Sequence, residues 1–518
     1  MAITDISLRP TAGHSAGAPA AADSAGSTRL PLVAALYLLS VVLPIGFNAG
    51  PLAMTNLRLL LLLVTVPLMV NIVIGKYGKV YITDWLFMLY IGWSTVSLAV
   101  NNPQMVVQQA GSTGIEFLGG YAVGRAYIRT PGQFLALCRW LIVLVLCTTP
   151  FSILEALDGR PLIVETIRKI PGLTSVAPVY IEGRMGLERV QSVFAHPIHY
   201  GLFCSVAFSM TFVALQDRLH VTKRFVLAGT IMFSGFLALS SGALLAMLLQ
   251  LGLIAWYTVF EKIRWRWWLL VGMFALAYVV IDLLSNRTPL RVFMSYATFS
   301  AHNAYWRGII FEWGMKNVWA NPIFGLGLRD WVRPSFMYSG SMDNFWLVVA
   351  VRHGIPGWIL LVSGYAYVIY RVMRRTFDGD RTLLLIRRAW VFTFLGLTFT
   401  LCTVHVWTNI YSFVFFMFAA GVWLIAAQPE AATAAAPAEA ETGRRAGPVL
   451  ARKHEGTGYS RSPEQGAAPQ ATGRAPAAVY SRSAIPAAPA RPAAAEARGE
   501  AQRYSRFGPR QRRDADET

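Results

Sequence analysis

The sequence predicts an all-α fold, a polytopic transmembrane helix bundle of about 12 spans with one large loop outside the bilayer. Three observations predict it. Of 518 residues, 55% are hydrophobic and only 14% are charged, against roughly 25% charged in a soluble domain. Apolar runs near the length of a bilayer crossing recur along the chain; such a run crosses as a helix because its backbone polar groups then bond internally. Basic residues fall in alternate connections, so the net charge of +19 reads as a positive-inside bias and not as a nucleic-acid surface.

The expected spans are 30–47, 57–75, 80–100, 105–124, 134–155, 198–215, 225–240, 243–260, 267–285, 354–372, 385–404 and 408–426, with an apolar half-helix at 344–352. Lys76 and Lys79, Arg125 and Arg129, Arg218 to Arg224, Lys262 to Arg266, and Arg371 to Arg388 mark the cytoplasmic connections. The connections 48–56 and 101–104 are nearly uncharged. This bias places both termini in the cytoplasm and the protein in the inner membrane. Two long connections, 156–197 and 286–343, fall on the periplasmic side, where long loops of compact proteins are usually functional.

Residues 1–29, rich in small residues, are expected to be a disordered cytoplasmic N-terminus, and no cleavable signal peptide is expected because the first long apolar run has no convincing cleavage site after it. Residues 427–518 are Ala-, Pro-, Gly- and Arg-rich, too poor in large aliphatics to offset the entropy of ordering, and are expected to be a disordered basic tail. Its three Tyr-Ser-Arg repeats, at Tyr459, Tyr480 and Tyr504, read either as chance or as short docking or phosphorylation motifs. Cys138, Cys147, Cys204 and Cys402 all lie in apolar runs without metal-ligand spacing and read as small buried hydrophobes.

Charges inside apolar runs are costly there. Arg58 opens the second run and either reaches the interface or serves a site. Glu116 lies mid-run in the fourth and requires a partner. The second long connection carries Arg287, Arg291, Arg307, Lys316, Arg329 and Arg333 against Glu312, Asp330 and Asp343. Its aromatics, among them Tyr296, Tyr305, Trp306, Trp319, Trp331 and Tyr338, either stack on ligand rings or form an interfacial belt.

Three motifs carry a family likeness. Residues 189–201 read RVQSVFAHPIHYG and lead into a span. Leu239-Ser240-Ser241-Gly242 makes a turn between two spans. Arg307-Gly308 and Asn321-Pro322-Ile323-Phe324-Gly325-Leu326-Gly327 precede Asp343-Asn344, then nine residues, then Gly354-Ile355-Pro356-Gly357. Over residues 30–426 the chain resembles the O-antigen ligase and Wzy-type polysaccharide polymerase superfamily. Ser241 stands where the family often has arginine. Asp343 stands where its ligases have histidine, which favours the polymerase branch.

The resemblance implies a metal-independent, cofactor-free membrane glycosyltransferase of the GT-C type. Its donor and acceptor would be undecaprenyl-diphosphate-linked glycans, and its product an exopolysaccharide, capsule or O-antigen. A flippase and a chain-length regulator would work beside it. Alternatives are an O-antigen ligase acting on a lipid A core and a secondary transporter, although no internal repeat is evident. Within the polymerase reading, Asp343 is the candidate base, or else the cap of the helix that follows it. Arg189 and Arg307, then Arg184, Arg291 and Arg58, are candidates for the diphosphate, because a guanidinium offers phosphate oxygens a fixed, permanently charged fork. His196, His302, Asn344, Gly354 and Gly357 are candidates for supporting roles.

Overall fold

The computed structural model describes residues 29–49, 52–286, 292 and 301–429, with side chains at 49, 52, 53 and 301–304 left aside. Arg291 and the Tyr-Ser-Arg repeats therefore lie outside the described residues, as does the side chain of His302. The chain divides into two units after Ala446, and every described residue lies in the first.

Every expected span contains a helix. They are α1 (Leu32–Val42), α2 (Asn56–Val73), α3 (Ile82–Asn101), α4 (Val106–Tyr127), α5 (Pro131–Asp158), α7 (Pro197–Ser209), α8 (Val221–Leu237), α9 (Ser241–Val259), α10 (Arg266–Leu284), α12 (Phe345–Met373), α13 (Arg381–Leu401) and α14 (Thr408–Ala419). A short α6 (Leu162–Arg168) and a long α11 (Ala301–Ala320) lie in the two long connections. Among the described residues, eight helices are long and apolar enough to cross a membrane, and the chain is a multi-pass membrane protein. The other four expected spans depart for visible reasons. α1 has only 11 residues and α8 has 17. α3 and α4 are long enough but carry polar side chains such as Asp84, Gln109 and Glu116.

The expected first span, 30–47, ends early because Pro44 follows the α1 terminus and the chain turns into a hairpin. Strand β1 (Gly46–Ala49) pairs antiparallel with β2 (Leu52–Thr55). Gly46 also exchanges both backbone hydrogen bonds with Thr174, each 2.7 Å, which ties the first long connection to the hairpin. The expectation for the cysteines holds for Cys138 and Cys204; Cys147, on α5, and Cys402, at the C-terminal cap of α13, are exposed.

α14 is buried over Ile410–Ala419 and packs along α4. Gly120 and Gly124 let the two backbones meet, since a Cβ at Gly120 would lie 2.6 Å from Ser412 Oγ. Small residues at a seam are how membrane helices associate, because lipid offers no hydrophobic drive between them. In the same interior, Glu116 finds the partner its depth requires: Arg58 Nε donates to Glu116 Oε1 at 2.8 Å.

α12 contains the feature that positions the site. Gly354 has φ 72° and ψ 179° inside it, a region open essentially to glycine alone. The helix is thus a half-helix, 345–353, joined to a full one. The break frees three carbonyls, and each is answered. Val351 O accepts from Leu326 N at 2.8 Å. Arg352 O, whose helical donor would have been Pro356, accepts from Gly327 N at 2.9 Å and Ser97 Oγ at 3.0 Å. His353 O accepts from Trp93 Nε1 at 2.9 Å. In return Ile355 N donates to Pro322 O at 2.8 Å. Backbone groups left unpaired at this depth would cost several kcal/mol each. The 321–327 motif is therefore a clamp for the break. Gly325 is left-handed (φ 62°) and leaves no room for a Cβ against the Arg352 carbonyl, 2.6 Å away.

Candidate active site

The half-helix ends, the α8–α9 turn, the α13–α14 connection and the two long connections converge on one cavity of about 830 Å³. That volume is within the usual range for ligand sites. Five arginines line it, Arg184, Arg189, Arg307, Arg329 and Arg352, against two carboxylates, Asp330 and Asp343. Asp330 is already held by Arg333 at 2.6 Å. The cavity is strongly electropositive.

Arg189 is placed by a buried carboxylate. Glu155, in α5, accepts from Gln191 N at 2.7 Å and from Ser192 N at 3.0 Å, holding Ser192 in a left-handed conformation (φ 55°). Gln191 braces the same turn, accepting from Val179 N at 2.6 Å. Val190 N donates to Leu237 O at 3.1 Å. Arg184 Nη1 reaches the α8–α9 turn at Leu239 O, 2.8 Å. Burial pulls the Arg189 guanidinium down to about 10, Arg184 adds to the effect and Asp343 opposes it. Arg307, on α11, is lowered by burial, with Asp343 again opposing. Arg189 Nε is buried without a hydrogen-bond partner among the described residues.

Asp343 is half-buried and stands just ahead of α12. The helix is capped by its neighbour: Asn344 Oδ1 accepts from Leu347 N at 3.0 Å. The capping alternative for Asp343 therefore passes to Asn344. The Asp343 carboxylate accepts from Ser341 Oγ at 2.9 Å and has no cation within 4 Å among the described residues. Phe345 N donates to Val404 O at 3.0 Å, which brings His405 and Trp407 to the same wall.

The other expected residues divide between the cavity and its supports. His196 lines the cavity and also caps α7, its Nδ1 accepting from Ile198 N at 3.2 Å. Gly354 forms the break, and Gly357 lets α12 approach Trp93, 3.1 Å from a built Cβ. Arg58 is not among the cavity residues; it belongs to the Glu116 pair. Trp306 and Trp331 line the cavity, whereas Tyr305, Trp319 and Tyr338 are exposed. Sequence reasoning missed Arg352, His405 and Trp407. Arg352 carried a usable signal, a charge inside an apolar run. His405 and Trp407 carried a fainter one, a polar interruption between two spans.

Residues 225–362 match the family model for O-antigen ligase, Wzy_C. The match agrees with the superfamily read from the motifs. The matched O-antigen ligase-type segment runs from α8 to the far side of the α12 break and supplies Ser240, Arg307, Arg329, Asp343 and Arg352. The rest of the wall, Arg184, Arg189, His196, His405 and Trp407, comes from outside it. No curated protein matches the chain.

Proposed function

We propose that this protein polymerises undecaprenyl-diphosphate-linked oligosaccharide repeat units at the periplasmic face of the bacterial inner membrane. The observation that carries the reading is the single cavity in which several arginines surround Asp343 at the mouth of a broken membrane helix. In the reaction, an acceptor hydroxyl attacks the anomeric carbon of the donor. The carbon–oxygen bond to the diphosphate breaks, and undecaprenyl diphosphate leaves with the electron pair. Asp343 takes the hydroxyl proton. Arg189 and Arg307, joined by Arg184, offset the charge developing on the leaving diphosphate. A flippase supplying substrate and a chain-length regulator are the expected partners.

The deciding experiment compares surface polysaccharide from a deletion strain complemented with wild type or with Asp343→Asn. Single repeat units in the deletion, a ladder with wild type and none with the variant is the expected outcome. The match to the O-antigen ligase model favours a second reading, transfer of a finished glycan to a lipid A core. Free full-length polymer in the deletion strain, absent only from lipid A, would select it.

A further inference from the structure

One wall of the cavity is built differently from the arginine wall. Trp407, between α13 and α14, is 36% exposed and lines the cavity. Three imidazoles surround its indole. His199 is fully buried and meets the ring edge-on, centroids 4.1 Å apart. His405 lies nearly parallel to it at 5.7 Å, and His196 stands at 5.8 Å. His405 and His196 line the cavity beside Trp407.

The hydrogen-bonding capacity of this wall suits hydroxyls. Burial, then Arg189, lowers the His196 imidazole to about 4, with Asp343 opposing; burial, then Arg352, lowers His405 to about 3. Both rings are neutral at pH 7, and a neutral imidazole offers one donor and one acceptor. His196 uses Nδ1 to accept from Ile198 N, so its proton sits on Nε2, which has no partner among the described residues. Phosphate oxygens only accept and are better served by guanidinium groups. A hydroxyl both donates and accepts. Trp407 keeps 36% of its surface exposed, and an indole face, electron-rich and apolar, is complementary to the C–H face of a pyranose.

We propose that Trp407, His196 and His405 form a glycan subsite, with one sugar ring stacked on the indole and its hydroxyls bonded to the two imidazoles. The subsite deepens the polymerase reading and rests on it for the identity of the glycan as substrate. It divides the cavity by chemistry: arginines for the diphosphate, the Trp–His wall for sugar.

The test uses full-length protein in detergent and short oligosaccharides from partial acid hydrolysis of the host's surface polysaccharide. Saturation-transfer NMR reads glycan binding, and competition against labelled undecaprenyl diphosphate reads the arginine wall. Wild type should transfer saturation to sugar ring protons. Trp407→Leu should weaken glycan binding about tenfold, and Trp407→Phe, with its smaller ring, about threefold. Undecaprenyl diphosphate binding should stay within about twofold of wild type in both. No saturation transfer to wild type, or unchanged glycan binding in a folded Trp407→Leu, overturns the subsite. So does an equal loss of both ligands, which would make Trp407 a support for the whole cavity. Should Trp407→Leu not fold, unchanged glycan binding in Trp407→Phe overturns it alone. Wild type that binds glycan but not undecaprenyl diphosphate would keep the subsite and sink the polymerase reading.

Discussion

Arg58 and Arg125 lie in helices of the bundle, each held against a carboxylate, Glu116 at 2.8 Å and Asp84 at 3.6 Å. Arg189 and Arg307 lie in the cavity wall, and among the described residues neither has a carboxylate within 4 Å. The residue type is the same, but the difference lies in what completes each charge. The charges of the first pair are offset by carboxylates of the fold itself, although Arg125 Nε, like Arg189 Nε, makes no hydrogen bond among the described residues, and the pair is part of the frame. The second pair is desolvated, crowded by Arg184 and only distantly offset by Asp343. An anion brought from outside would complete it. An arginine without a protein partner in a cavity therefore points to ligand, whereas an arginine deep in a helix with a carboxylate beside it points to architecture.

The sharpest way to break this comparison is to remove the carboxylate on the cavity side. Asp343→Asn should lower polymerisation about a thousandfold, within the range of a lost general base. Protein level and thermal midpoint should not change, since Asn344 holds the cap. A ladder of normal intensity from that variant would return Asp343 to the frame. Next in size, Arg189→Lys and Arg307→Lys keep the charge and lose the fork. Each should lower the turnover of lipid-linked substrate about 10- to 100-fold with stability intact. Wild-type turnover in both would remove the diphosphate role. On the other side, Arg58→Met leaves Glu116 unpaired and should cost about 2 kcal/mol in detergent, discounted because Arg58 is partly exposed. Arg58→Met with Glu116→Leu should regain most of that. An activity loss in Arg58→Met beyond its loss of folded protein would move Arg58 to the cavity group.

The smallest effect concerns pH. The folded His196 and His405 resist protonation down to about 4 and about 3, while an unfolded imidazole takes up its proton near 6.5. Between these values the unfolded chain binds more protons. The contribution of these two histidines to stability should be level above pH 7 and fall as the pH drops from about 6.5 toward 4. His196→Gln should flatten part of that slope in a thermal-shift series. An unchanged slope in both His196→Gln and His405→Gln would assign the titration elsewhere.

The expected spans were legible because a bilayer imposes one length and one polarity on every crossing. Even the half-helix at 344–352 could be read, from an apolar run too short to span; that Gly354 ends it became visible only in the structure. The early end of α1 and its hairpin were not legible, because local apolarity does not report that Gly46 pairs with Thr174, over a hundred residues away. Arg184, Arg189, Arg307, His196 and Asp343 were legible as chemistry, and the structure gathers them at one cavity. Arg58 pairs with Glu116 outside the cavity lining; a charge in a membrane segment needs a partner, and sequence alone does not say whether that partner is Glu116 or a ligand. Trp407 and His405 were passed over because a three-residue link between spans looks like plain connection until Phe345 is seen bonding to Val404.

The clamp at the α12 break has a consequence for how the protein meets its bilayer. Membranes differ in thickness, and spanning helices answer by tilting. A continuous helix from Asn344 to Met373 would swing Asp343 with every change of tilt. Here the segment before Gly354 is fastened to Leu326, Gly327 and Ser97, and the segment after Pro356 is held to α3, the helix of Ser97, where Thr83 Oγ1 donates to Gly364 O at 3.0 Å. The Asp343 end is thus registered to the 321–327 loop and to α3 together, so a change of tilt would reach it through two packed helices and not along one unbroken rod.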